Sequence, residues 1–336
     1  MFGSIKIADR RQTAWIPQRE TVTGETVLRY LVVMTISANL LLLLAAQGVT
    51  GSTWGNPDTS KTEVRWDPPT PSQGSIVWIS VRPEVQLTSD GDLTISGALA
   101  GQPLHFEPGD DGEFHSLAGI PINTRDSIQL ALALTSDQGT LQRLFTYLPV
   151  AEGVFSVAKL SVDPRFTTPP DSALAVRIAA EADSVRAILQ RSHETSRLWL
   201  PGFVIPNANR ITSGYGQRRE FNGEVRSRHM GVDLDGDFGD PVVATNRGVV
   251  ALVGDFYYAG GLVYLDHGRG LLTAYMHLSE ITVGVGDTVA AGQVIGRVGA
   301  SGRVTGPHLH WQARYGTVTV NPLTLLELDW GSWSGR

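Results

Sequence analysis

The stretch RHMGVDLDGDFGDPVVATNRGVV, residues 228–250, governs how the rest of the chain is read. It opens with His229 and Asp233, four positions apart. A helix would put both on one face, but Gly231, Val232 and the Gly-rich run after them are poor helix formers. On a straight strand the two also share a face, yet lie about 13 Å apart at about 3.3 Å per residue. A single metal ion holding both needs donor atoms about 2 Å away. The backbone must therefore bend between them, and Gly231 is the residue that allows it. Taken alone, the H-x-x-x-D spacing fits a solvated loop equally well.

Working outward, five of the eight histidines lie from His229 onward: His229, His267, His277, His308 and His310. His308 and His310 flank Leu309, with Trp311 next, an alternation that reads as a strand. Residues two apart on a strand point to one face, so both imidazoles can reach one site while Leu309 packs the other way. Gly306-Pro307 sets the entry to that strand. His277 ends an apolar run, Leu271–Leu278. Asp266-His267 borders a Gly-rich hairpin and reads as a turn. Two imidazoles and one carboxylate form a three-ligand set with a fourth position open for water, the pattern of catalytic zinc. Two further imidazoles can then act as general acid and base, or hold a developing oxyanion.

Composition narrows the alternatives. The chain has 336 residues, room for about two domains at about 100–200 residues each. Hydrophobic residues make up 42% and charged residues 18%, which supports a packed core and excludes general disorder. With 37 Gly and 18 Pro, short strands and turns are favoured over long helices. The formal charge of −6 argues against an electrostatic nucleic-acid binder. With no Cys, the chain has no disulfide scaffold, thiolate-held zinc or Cys nucleophile. Any metal must be held by nitrogen and oxygen.

Upstream, the uncharged stretch YLVVMTISANLLLLLAA, residues 30–46, is near the minimum length for a bilayer span. Residues 1–29 carry Lys6, Arg10, Arg11, Arg19 and Arg29 against three acids, a bias that keeps this end in the cytoplasm. The run reads as a membrane anchor or as the apolar core of a signal peptide, and both export the remainder of the chain. Residues 54–166 read as a small antiparallel β-sandwich with strands in SIVWISVRP, LTISGALAG, SIQLALALTS and VFSVAKLSV. His105 and His115 read as isolated surface or half-buried residues. Residues 169–200 read as a linker helix over Asp171–Leu198, capped by Asp171 or Ser172. Its apolar stripe is Leu174, Ile178, Ala182, Val185 and Leu189, with an Arg177–Glu181 pair on another face. His193, at its end, has no assigned role. Residues 201–330 form the C-terminal β domain. The predicted fold class is thus mainly β: membrane segment, sandwich, linker helix and antiparallel C-terminal domain.

Five segments carry a resemblance: ITSGYGQRR (211–219), residues 228–250, VYLDHGRGLLTAYMHLS (263–279), VGDTVAAGQVIGRVGASGRVTGPHLHW (285–311) and NPLTLL (321–326). Together they resemble the lysostaphin/LytM-type M23 metallopeptidase domain, in its order and spacing. The resemblance implies zinc ligands at His229, Asp233 and His310, and catalytic histidines at His277 and His308. It implies a zinc-dependent endopeptidase that cleaves peptidoglycan cross-links or stem peptides in the cell envelope, outside the cytoplasm. An envelope regulator is a possible partner, and nucleic acid is not. The alternative is a non-catalytic envelope protein that binds wall or activates a partner amidase. The filled ligand set favours the enzyme. Asp240 stands where that family often has Thr or Ser. Arg210, Arg218, Arg219, Arg226 and Arg228 cluster against only Glu220 and Glu224, a local net charge that reads either as a solvated basic loop or as a match for the carboxylates of a stem peptide.

Overall fold

The computed structural model describes residues 62–84, 93–137, 139–160, 169–221 and 224–330. The apolar run 30–46 and the segment before it lie outside the described residues. Among the described residues, no helix is long and apolar enough to cross a membrane.

All the described residues belong to one compact unit, Ser60–Arg336. Its first part is two four-stranded antiparallel sheets. One contains Glu63–Asp67, Ile76–Arg82, Phe114–Gly119 and Glu107–Pro108. The other contains Gln102–His105, Thr94–Leu99, Ser127–Ser136 and Gly139–Pro149. Alternation decides the faces. Along Ser127–Ser136 the side chains of Leu130, Leu132 and Leu134 are buried while the residues between them are not. They meet Ile76, Ile79 and Val81 in one core. That core continues into the C-terminal sheet through Leu271, Ala313, Tyr315 and Val320. Tyr315 donates its hydroxyl to the Pro103 carbonyl at 2.9 Å, and the Asn321 amide donates to Gly74 at 2.7 Å.

One expected sandwich strand is elsewhere. Val157–Leu160, within VFSVAKLSV, runs parallel to Arg218–Phe221, which itself pairs with Glu224–Arg228. The hairpin that leads into His229 would otherwise present an open edge, and this strand covers it.

The C-terminal sheet has ten strands, and every pairing in it is antiparallel. Its centre is Val232–Leu234, Leu309–Tyr315, Leu271–Ile281, Gly260–Gly268 and Gly248–Phe256, in that order. Val232, Leu234, Leu309, Trp311 and Tyr275 fill the core beneath one face. Ile188 and Leu189 of the helix Ser172–Arg191 pack with Leu262, Tyr264, Leu272 and Ala274. Asp171 caps the helix, accepting the Leu174 amide at 2.8 Å, and Arg177 pairs with Glu181 at 2.7 Å. The helix stops at Arg191 rather than Leu198. Beyond it the chain is captured by the Gly268–Gly270 hairpin, where Gly270 donates to Ser192 and Arg269 to Thr195. A side chain at Gly268 would collide with the Ser196 carbonyl. The expected stripe is only half realised: Ala182 is exposed, and Ile188 joins Leu189 as the buried contact.

Candidate metal centre

Register brings the first two donors together. Asp233 and His310 are direct partners across the pairing of Val232–Leu234 with Leu309–Tyr315. Their neighbours Val232, Leu234, Leu309 and Trp311 point into the core, so Asp233 and His310 share the opposite face. The Asp233 Oδ1 and His310 Nδ1 atoms lie 2.8 Å apart. His229 reaches them from the segment before the strand: its Nε2 is 2.9 Å from Asp233 Oδ1 and 2.9 Å from His310 Nδ1. The chain bends at Gly231, as the spacing requires. Glycine is needed there for a second reason, space. A Cβ at Gly231 would sit 2.5 Å from the Trp311 carbonyl and 2.7 Å from the His310 ring.

Hydrogen bonds fix the tautomers. His229 Nδ1 is 2.9 Å from the Gly214 carbonyl, which can only accept, so Nδ1 carries the proton and Nε2 presents a lone pair. That lone pair faces a carboxylate oxygen at 2.9 Å, acceptor against acceptor. Burial pushes the His229 imidazole down to about 4, despite the opposing effect of Asp233, so a second proton is a poor remedy. A cation shared by all three atoms removes the conflict. Two imidazoles and one carboxylate are a donor set suited to zinc. Burial works to raise the Asp233 carboxyl, but its close contacts with the His229 and His310 imidazoles outweigh it and hold the carboxyl well below the usual range.

The other two histidines stand beside this trio. The ring centres of His277 and His308 are 4.9 Å apart, and those of His277 and His310 are 5.9 Å apart. His308 Nε2 is 3.7 Å from Asp233 Oδ1. His277 donates Nδ1–H to the Ser301 carbonyl at 2.9 Å, and His308 donates Nδ1–H to the Gly306 carbonyl at 2.9 Å. In the neutral form of either ring the lone pair is then on Nε2. Burial, then the nearby His310 and His308, pushes His277 down to about 3. His277 has φ +66°, in the left-handed region, where the pairing with Gly260–Gly268 shifts register. In a regular strand its side chain would follow that of Tyr275 into the core. The irregular backbone re-aims it toward the site.

Arg219 is a participant that its sequence context did not single out. Its Nη2 pairs with Asp233 Oδ2 at 2.7 Å, leaving Oδ1 to the imidazoles. It was visible only as one member of an arginine-rich run. Another member, Arg210, pairs with Asp235 at 3.5 Å, and the Arg226 side chain lies outside the described residues. His267 is no turn residue. It is fully buried, bonded to the Arg247 carbonyl and to Thr273 Oγ1, both at 2.8 Å. His105 and His193 are not isolated either: they face each other at 2.9 Å where the sandwich meets the end of the helix. His115 is buried and bonded to Ser80 and Asp111.

Residues 227–322 match the family model described as peptidase family M23. Peptidoglycan DD-endopeptidase ShyA of Vibrio cholerae is 42% identical over 104 residues, 31% of this chain and 24% of that protein. Lysostaphin of Staphylococcus simulans is 38% identical over 128 residues, 38% of this chain and 24% of that protein. The match thus spans about a quarter of the length of these curated relatives. A crystal structure of an assigned M23 peptidase from Pseudomonas aeruginosa superposes over 77% of this chain and 95% of its own, with 25% identity and a TM-score of 0.56. That coverage takes in much more than the metal centre, so the similarity extends to strands outside the matched segment. Residues 227–322 of this chain are a peptidase family M23 domain.

Proposed function

We propose that this protein is a zinc-dependent endopeptidase that hydrolyses peptide bonds in peptidoglycan cross-links or stem peptides, acting in the cell envelope outside the cytoplasm. The observation that carries the reading is the convergence of three nitrogen and oxygen atoms, from His229, Asp233 and His310, within hydrogen-bonding distance of one another. The named activity of ShyA supports the substrate class. Export follows from the apolar run 30–46 and from where peptidoglycan lies.

A zinc ion in this site supplies Lewis acidity, which lowers the pKa of water and polarises a carbonyl. The chain supplies the rest. Arg219 holds Asp233 Oδ2, so the carboxylate offers a single oxygen. The Ser301 and Gly306 carbonyls hold His277 and His308 with Nε2 free. One of these nitrogens takes the proton of the attacking water as the new C–O bond forms. The proton so taken goes to the leaving nitrogen as the C–N bond breaks, and the other imidazole, when protonated at Nε2, donates to the oxyanion.

The test is muropeptide release from purified sacculi, with and without a zinc chelator, with His308→Ala alongside. Release that stops in both arms supports the reading. Release indifferent to both overturns it.

A further inference from the structure

The hairpin that feeds His229 carries an unusual cross-strand pair. Arg218 and Arg228 lie directly opposite each other in the antiparallel pairing of Arg218–Phe221 with Glu224–Arg228. Like charges in that position repel, so two guanidinium groups placed there call for an anion between or beside them. The pair lines a cavity of about 300 Å³ between the hairpin and the first β module. A third guanidinium, Arg125, lines it from the loop that precedes Ser127–Ser136. Glu152 is the one acidic residue in the lining. Three cationic groups thus meet a single carboxylate.

The arginines are not consumed by the fold. Among the described residues, none of the three has an ion pair to a carboxylate, and Arg228 Nη1 is buried without a hydrogen-bond partner. Arg228 is held by the face of Phe155, with Cζ 5.3 Å from the ring centre. Phe155 lies on the chain between Glu152 and Val157–Leu160, which joins the first module to the hairpin edge. The stacking fixes the guanidinium and leaves its donors in the plane of the fork. Planar forks of this kind match carboxylates, which they bind through paired N–H donors.

We propose that this cavity is an anion subsite for the carboxylates of an acidic peptide, separate from the metal centre. It rests on the proposed function only for the identity of that peptide, the peptidoglycan stem. The hairpin carries both features: Arg228 directly precedes His229, and Arg218 directly precedes Arg219, which holds Asp233. About 300 Å³ is the lower end of ordinary small-ligand pockets and fits one or two amino-acid residues rather than a glycan strand.

The experiment uses the full chain carrying His308→Ala, so that the probe is not digested. Arg125→Gln and Arg218→Gln are added together; both positions are exposed, and neither touches the metal ligands. The probes are a fluorescent disaccharide-peptide with free carboxylates, the same molecule with its carboxylates amidated, and inorganic phosphate as competitor. Expected are at least tenfold weaker binding by the double variant and a similar loss on amidation, with zinc content and melting temperature unchanged. Binding within twofold of the parent, or equal binding of the amidated probe, overturns the subsite. Displacement by phosphate at the same concentration as unlabelled peptide also overturns it, since the cavity then reads charge alone. Sacculus cleavage by the chain without His308→Ala is measured in parallel. Its failure strikes the hydrolase, whereas failure of the binding arms strikes only the subsite.

Discussion

Two clusters among the described residues hold the side chains a metal ion prefers, and they differ in what those side chains are already doing. His229, Asp233 and His310 form one, and Asp111, Glu113 and His115 the other. In the second, Glu113 is fully buried and occupied by Arg65 and by Arg82, the latter at 2.6 Å. His115 has one ring nitrogen on Ser80 Oγ at 2.9 Å and the other on Asp111 at 3.1 Å. Its ring stacks on Trp78. Each donor is spent on the protein itself. In the first cluster, an acceptor faces an acceptor, and Arg219 sits on the other carboxylate oxygen, Oδ2. Residue type and proximity are therefore not enough to make a metal site. The hydrogen bonds on the far side of each ligand decide whether its lone pair is free.

The sharpest way to break this comparison is to count metal. Replacing His229 or His310 with Ala should remove zinc by elemental analysis and abolish muropeptide release. Asp111→Asn with His115→Gln should leave both at parental levels. Zinc lost from the second pair of substitutions would erase the distinction. Next in size is His277→Ala. It should keep its zinc and lose about 10²–10⁴-fold in cleavage rate, the usual contribution of a positioned acid–base group.

Arg219→Gln probes the far side of the first cluster. Losing a partner of a ligand carboxylate should weaken zinc about 10–100-fold, measured by chelator competition, and Arg219→Lys should recover part of this. In the second cluster, Glu113→Gln leaves Arg65 and Arg82 without their carboxylate. Both are about half exposed and can turn to water, so we expect a stability loss of about 1–3 kcal/mol in denaturant titration, with zinc unchanged.

The smallest effect concerns the histidines outside either cluster. Burial holds His105, His193 and His267 down to about 4, against 6.5 for a free imidazole. As pH falls below about 6.5 the unfolded chain takes up protons before the native one does. Their contribution is fully present above about 6.5 and drains away as pH falls toward 4. The melting temperature should decline over that window, and His267→Gln should flatten the decline.

The difference between the clusters also shows how much was legible beforehand. The H-x-x-x-D spacing, the strand alternation of His308-Leu-His310 and the absence of Cys pointed to the first cluster, because strand geometry makes face-sharing a local property. The mainly β class and the capped helix were equally local, resting on alternation, turn residues and an Asp at the cap. His115 and its partners looked isolated because Ser80 and Arg65 reach them from other strands. His277 looked like an ordinary strand residue because its left-handed backbone arises from a register shift with a neighbouring strand.

From its sequence alone, then, the strand character and the face-sharing of His308 with His310 and the need for a bend between His229 and Asp233 were legible, since these depend on residues two to four positions apart. Only the tertiary structure decided the rest. Val157–Leu160 left the sandwich to cover a hairpin edge, Arg219 came to rest on Asp233, and the modules joined in one core. Those outcomes turn on which polar groups find partners across long separations, where a buried, unpartnered group costs about 1–3 kcal/mol and local patterns carry no record of who the partner will be.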